Sequence, residues 1–279
     1  MKIPSLQDLL EAGVHFGHKV SRGNPRMSPF IYGAREGVHI IDLTLSEKYL
    51  KEAADYASEL GKTGKVLLFV GTKKQAQTQT EEFAKKVGAP YLSLRWVGGF
   101  LTNFEEISKN IKWLNELKKA KVQGTLKKYT KKEQLLLDRR ASDLEKVLGG
   151  VADLTSVPEA IFVLDANKDS GAIKEAARIG VKVIALVDTN ADPTLVDFPI
   201  PANDDAIKSI KIILETIAEA YEEGKAKSKV GTRDSSEVDV VEELPEDLPA
   251  GRQEVVEEVA EAEEKMEKVE LEKSERTVP

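Results

Sequence analysis

Three stretches of this chain combine residue types that could do chemistry. The first is Gly71-Thr72-Lys73-Lys74-Gln75, which directly follows the apolar run at 66–70. A glycine, a hydroxyl and two ammonium groups at the start of a helix suit phosphate, because first-turn N–H groups point outward and the helix dipole favours an anion. A Walker-type loop needs a further glycine five residues ahead of Gly-Lys-Ser/Thr, and neither that glycine nor the order is present. What survives is a helix N-terminus with two lysines, suited to phosphate from a nucleotide or from an RNA backbone. Asn167-Lys168-Asp169 approaches a guanine-reading Asn-Lys-x-Asp loop, but its aspartate comes one place early.

The second stretch holds His15 and His18, and all three histidines lie within the first 39 residues. The pair could ligate a metal, yet the chain has no cysteine and the neighbouring sequence offers no clear third ligand, where structural zinc normally takes four. Packing or hydrogen bonding beside the basic loop at 19–26 is the expected role, and no metal or cofactor is expected. The third stretch is Arg95-Trp96-Val97-Gly98-Gly99-Phe100-Leu101-Thr102-Asn103. Two glycines allow close approach of the backbone to a partner, and an arginine beside a tryptophan can pair with phosphate and stack. A tight turn with Trp96 in the core explains the same residues. No Ser/His/Asp set or paired-carboxylate pattern stands out, which disfavours an enzyme.

The elements that must position these stretches follow from periodicity. Ser5 opens a short helix that ends near Gly13, and residues 30–32 and 38–41 flank a turn as a small hairpin. Thr44 with Glu47 predicts a capping box for a helix ending near Gly61, and Thr72 with Gln75 another for a helix ending near Gly88. Strands are predicted at 66–70, 91–94, 160–164 and 181–187, with a short proline-limited strand at 198–201. Helices are predicted at 169–179 and, capped by Asn203, up to about Gly224. Strands alternating with helices predict a doubly wound α/β sandwich, with its functional loops at the carboxyl ends of the strands.

Between 105 and 149 that alternation stops. Ile107, Ile111 and Leu114 are spaced four then three, and Leu137, Ala141, Leu144 and Leu148 four, three, four, as in a coiled-coil seam. Gly124 lies between the two runs, and Thr130 with Glu133 predicts a cap for the second. An antiparallel helical hairpin projecting from the sheet is expected. It carries 12 Lys+Arg against 7 Asp+Glu, with Lys118, Lys119, Lys121, Lys127, Lys128, Lys131 and Lys132 near its tip. Such a tip could meet phosphate or an acidic partner.

Charge divides the chain in the same way. The net −7 over 279 residues resolves into 35 Lys+Arg against 31 Asp+Glu over 1–230, and 6 against 17 over 231–279. The body is mildly basic and compatible with RNA, while the acidity belongs to the tail. No apolar run approaches about 18 residues, so no membrane span is expected. The N-terminus lacks a signal-peptide apolar region, so a cytoplasmic product is expected.

Gly13-Val14-His15-Phe16-Gly17-His18, Asn24-Pro25-Arg26-Met27, the run from Gly37 to Leu43, the run from Phe69 to Ala76, the run from Arg95 to Asn103 and the run from Asp188 to Pro193 stand in order over about residues 5–222. Together they resemble the bacterial small-subunit ribosomal protein S-two family. The resemblance implies a flavodoxin-like, mainly parallel sheet bearing a coiled-coil hairpin and seated between head and body of the small ribosomal subunit. It implies no catalytic activity, contact with small-subunit ribosomal RNA and neighbouring ribosomal proteins, and help in recruiting ribosomal protein S-one. RNA contact is carried over to His15, His18, Lys19, Arg22, Asn24, Arg26, Lys73, Lys74, Gln75, Arg95, Trp96 and Asn103, which sit in the matching motifs. No homo-oligomer is expected.

The implied organisation is an α/β sheet domain at 1–104 and 150–230, a hairpin insert at 105–149, and an acidic extension at 231–279. The extension has no counterpart in the family pattern. It begins polar and proline-spaced, then repeats Val255, Val259, Ala262, Met266 and Val269 at helical spacing, so it is expected to be largely disordered or partly helical. Two other readings compete with the ribosomal one. A nucleotide-dependent enzyme or switch would need the phosphate loop and the placed base that are missing. An interaction scaffold using the hairpin and tail is compatible with the first reading.

Overall fold

The structure is a computed structural model and describes residues 3–124, 126 and 129–231. Lys127, Lys128 and the extension beyond residue 231 lie outside the described residues. The elements are α1 (Leu6–Glu11), β1 (Phe16–Lys19), β2 (Ile31–Arg35), β3 (Val38–Ile41), α2 (Leu43–Lys62), β4 (Leu67–Val70), α3 (Lys74–Val87), β5 (Tyr91–Leu92), α4 (Phe104–Val122), α5 (Lys131–Leu148), β6 (Ala160–Val163), α6 (Ser170–Ile179), β7 (Lys182–Val187), β8 (Phe198–Pro201) and α7 (Ile207–Gly231).

Five strands form one parallel sheet in the order β5-β4-β6-β7-β8. Counted from β4, that is the 2-1-3-4-5 order of flavodoxin-like sheets. The strands are short, continuous apolar runs because both faces are covered. Alternate side chains of β4 and β6 feed opposite cores. Leu67, Phe69 and Phe162 face α2, α3 and α7. Leu68, Val70, Ile161 and Val163 face α6 and the bases of α4 and α5. In the first layer α2 and α7 cross at Gly61 and Gly224, where a Cβ on either would strike backbone of the other helix. Gly224 therefore sits inside α7, and the helix runs on to Gly231 rather than ending at Gly224.

Local capping departs from expectation at α2 and α3. The cap of α2 is Asp42, whose carboxylate accepts from Thr44 N at 2.8 Å, so the helix starts earlier than a Thr44 cap would allow. Lys73 occupies the cap position of α3 and, with no acceptor in its side chain, makes no cap bond, while the Thr72 hydroxyl donates to Asp169 at 2.9 Å. The Thr130–Glu133 box is present at α5.

Residues β2 and β3 form the expected hairpin, turning through Glu36 and Gly37. A third strand, β1, joins β3 on its other edge. Helices α4 and α5 run side by side in opposite directions. Lys118 pairs with Glu145 at 2.5 Å and Lys121 with Asp138 at 2.8 Å. Ile107, Ile111, Leu114 and Leu148 enter the sheet's second core, so the base of the pair is part of the domain's packing.

Candidate nucleic-acid interface

In a sheet of this order the binding crevice lies beyond the carboxyl ends of the strands, at the switch between the two central strands, here β4 and β6. The chain fills that crevice with its own side chains. Lys73 Nζ, mostly buried, lies 2.7 Å from Asp204 Oδ1, 2.6 Å from Asp205 Oδ1 and 3.4 Å from Asp165 Oδ2. Lys168 Nζ donates to Thr72 O at 2.8 Å, closing the β4 loop onto the β6 loop.

The electrostatics of this nest are lopsided. Burial works against a charge on Lys73, but its bonds to Asp204 and Asp205 outweigh burial and raise its pKa. The same ion pair does not hold Asp204 down. Burial first, then repulsion from Asp165 and Asp188, push Asp204 up to about 7 despite the ammonium beside it. One cation is too few for three buried carboxylates, and the two directions report the same deficit. Asp169 is likewise pushed up to about 6 by burial, against the pull of the Thr72 hydroxyl.

The small antiparallel sheet docks on the end of β7. His18 N donates to Thr189 Oγ1 at 2.8 Å, and Asn24 N donates to Thr189 O at 2.7 Å. The Asn24 side chain caps the following turn by accepting from Arg26 N at 3.0 Å. Arg26 pairs with Asp192. His18 Nδ1 faces Asp188 Oδ2 at 3.1 Å without hydrogen-bond alignment, and Nε2 lies 3.4 Å from Asp205. The Asp188 carboxylate raises the His18 pKa, with burial opposing. His18, Asp188 and Asp204 bring one ligand atom each within 4.8 Å of one another, the arrangement among the described residues that could hold a divalent cation. The two groups that join His18 there, Asp188 and Asp204, come from far along the chain, and His15 is not among them. His15 is directed elsewhere: its ring packs on Phe16 at 4.0 Å, and burial lowers its pKa.

The twelve residues singled out from the sequence therefore divide. Lys19, Arg22, Lys74, Gln75, Arg95 and Asn103 are exposed on loops and element ends. Arg26 is also exposed, but is tied to Asp192. His18, Asn24 and Lys73 hold loops together, and His15 packs. Trp96 is half-buried against Phe100 at 5.3 Å, and its Nε1 donates to Glu175 at 3.1 Å. In the 95–103 loop Phe100 and Leu101 are buried, while Arg95, Gly98, Thr102 and Asn103 face outward. Sequence reasoning missed Glu175, Asp204 and Asp205. A glutamate in an amphipathic helix and two aspartates after Asn203 carry no signal without the fold. Asp188 and Thr189 were legible only as part of a strand-end loop.

Exposed cations thus surround a crevice lined by paired side chains of the chain itself. A family model described as Ribosomal protein S2 matches residues 9–224. The chain is 45% identical over 250 residues to the small ribosomal subunit protein uS2 of Coprothermobacter proteolyticus, covering 90% of this chain and 93% of that protein. It is 47% identical over 221 residues to the uS2 protein of a Nitratiruptor species, covering 79% and 83%. It is 43% identical over 252 residues to that of Wolinella succinogenes, covering 90% and 91%. With its sheet order, its strand-end loops and these matches in agreement, the chain belongs to the ribosomal protein S2 family.

Proposed function

We propose that this protein is a structural constituent of the cytoplasmic small ribosomal subunit that binds small-subunit ribosomal RNA between head and body. The family is structural and not enzymatic. The observation that carries the RNA contact is the exposure of Lys19, Arg22, Lys74 and Arg95 on loops and element ends beside buried ion pairs and caps. Phosphate contacts of this kind fix position and fall steeply with salt. In this reading the chain has three parts: a sheet domain, a coiled-coil hairpin at 105–149 and an acidic extension. The basic hairpin extends the RNA-facing surface beyond the sheet, and neighbouring ribosomal proteins, S-one among them, meet the remaining exposed faces.

Sedimentation of a cell lysate through a gradient tests the proposal. The protein should travel with the small subunit and leave it at high salt. Migration as free protein at low salt would refute it. The nucleotide-switch reading lacks its phosphate loop and placed base, and Lys73, the cation it would use, is paired with Asp165, Asp204 and Asp205.

A further inference from the structure

The 95–103 loop is held from behind by a group outside it. Glu175 lies on α6, one residue from the buried Ala176, whose neighbours Ala172 and Ile173 supply that helix's core contacts. Its carboxylate is turned toward the loop. Oε1 accepts from Trp96 Nε1 at 3.1 Å and from Gly99 N at 2.9 Å, and Oε2 accepts from Leu101 N at 3.2 Å. The Thr102 backbone N–H lies on the same carboxylate. Burial alone would raise the Glu175 pKa, but these donors outweigh it and hold it below the ordinary carboxylate range. A concave set of backbone N–H groups is a general anion receptor, and here the protein supplies its own anion.

We propose that Glu175 is the positioning residue of the 95–103 loop, its carboxylate gathering Trp96, Gly99 and Leu101 so that Arg95, Gly98, Thr102 and Asn103 are presented outward as a preformed RNA contact. Without it, the backbone donors of Gly99 and Leu101 would lose their acceptor, and the loop would have to rearrange to find water. Phe100 and Leu101 would still anchor the loop through their buried side chains, so the loop would loosen without detaching. Preformation matters because a loop ordered only on binding spends interaction energy on its own ordering. Glutamine has the same shape but only one acceptor oxygen, and its amide would face the loop's donors. The site therefore calls for two carboxylate oxygens, and aspartate is a methylene too short to reach both sets of donors from the same backbone.

This inference rests on the proposed RNA contact of the loop, and the test separates the two. Full-length protein in a Trp113→Phe background leaves Trp96 as the sole tryptophan. Binding to small subunits depleted of this protein is measured for that parent, for Glu175→Gln and for Arg95→Ala, beside Trp96 emission and amide exchange. Glu175→Gln should weaken binding about tenfold and speed exchange at Gly99 and Leu101 by a similar factor, with the sheet amides unchanged and Trp96 emission shifted to the red. Arg95→Ala should weaken binding with the loop's exchange unaltered. If Arg95→Ala weakens binding while Glu175→Gln loosens the loop and binds like the parent, positioning by Glu175 is overturned. Faster exchange throughout the sheet in Glu175→Gln would make it a general fold residue and also overturn the inference. If neither variant weakens binding, the RNA reading of the loop falls, and the role of Glu175 falls with it.

Discussion

Two adjacent glycines in the 95–103 loop should respond to alanine in opposite ways. Gly99 has φ of 81°, in the left-handed region, and a Cβ there would lie 3.5 Å from Asn103 Cβ. Alanine at Gly99 should cost about 1–2 kcal/mol from backbone strain. Gly98 is outside that region, and a Cβ on it meets nothing within 4 Å. Alanine at Gly98 should leave the free protein unharmed, or stabilise it by about 0.4–1 kcal/mol through a less flexible unfolded chain. The fold has no need of glycine at that position, whereas a partner pressed against the backbone would. A methyl group forced into a close contact costs about 1–3 kcal/mol, which is roughly 5- to 150-fold in affinity. Thermal unfolding and binding to depleted subunits, measured on both variants, distinguish the cases. Gly99→Ala should lower Tm by about 2–8 °C, on a scale of about 2–4 °C per kcal/mol for a domain of this size. Gly98→Ala should hold or raise Tm while losing affinity. Gly98→Ala bound as tightly as the parent would refute close RNA approach at Gly98, and a Tm drop as large as that of Gly99→Ala would refute the steric argument itself.

Other outcomes follow from the nest and its rim. Lys73→Ala should destabilise the fold by about 3–5 kcal/mol in urea unfolding, because it strands the buried carboxylates of Asp165 and Asp204. Lys74→Ala should leave stability unchanged, weaken subunit binding, and reduce the slope of log affinity against log salt by about one; an unchanged slope would remove Lys74 from the phosphate contacts. Joint replacement of both lysines therefore tests the fold as much as the interface. Asp169 holds its proton more tightly folded than unfolded, so its contribution is full below the ordinary aspartate pKa and is lost as pH rises through about 6. Asp169→Asn should gain roughly 2–3 kcal/mol relative to the parent between pH 4 and pH 7. A pH-independent difference in urea unfolding would show that Asp169 ionises normally.

The parts of the fold legible in the sequence were those with local causes. Strands β4, β6 and β7 stand out because a strand covered on both faces must be apolar throughout, and Ser5 and Thr130 read as helix starts because their hydroxyls accept from N–H groups three places on. Asn203, expected as the cap of α7, instead accepts from Asp205 N and Ala206 N in the turn ahead of a helix that starts only at Ile207. The misread caps of α2 and α3 have different reasons: Asp42, two residues ahead of Thr44, accepts from its N–H and starts α2 earlier. Thr72 had a sequence partner at Gln75, but Asp169 lies closer in space and takes its hydroxyl. Strand β5 stops at Leu92 instead of continuing to 94, where Leu94 is exposed and the chain turns into the Arg95 loop. In the candidate interface, residues with exposed charge were legible from motif and type. The groups that hold them were not, since His18 finds Asp188 and Trp96 finds Glu175 only after the sheet has brought distant segments together.

The docking of His18 and Asn24 on Thr189 has a consequence for how the protein is made. His18 and Thr189 are 171 residues apart in the chain, and Thr189 follows one of the last strands of the sheet. At about 5–20 residues per second, the ribosome that has just released residues 15–26 needs roughly 10–30 s more to supply their anchor. During that interval the N-terminal loop has its basic side chains but lacks the partner that fixes their geometry. A nascent chain stalled before β7 therefore carries these charges without the geometry that Thr189 gives them, which only a nearly complete chain attains.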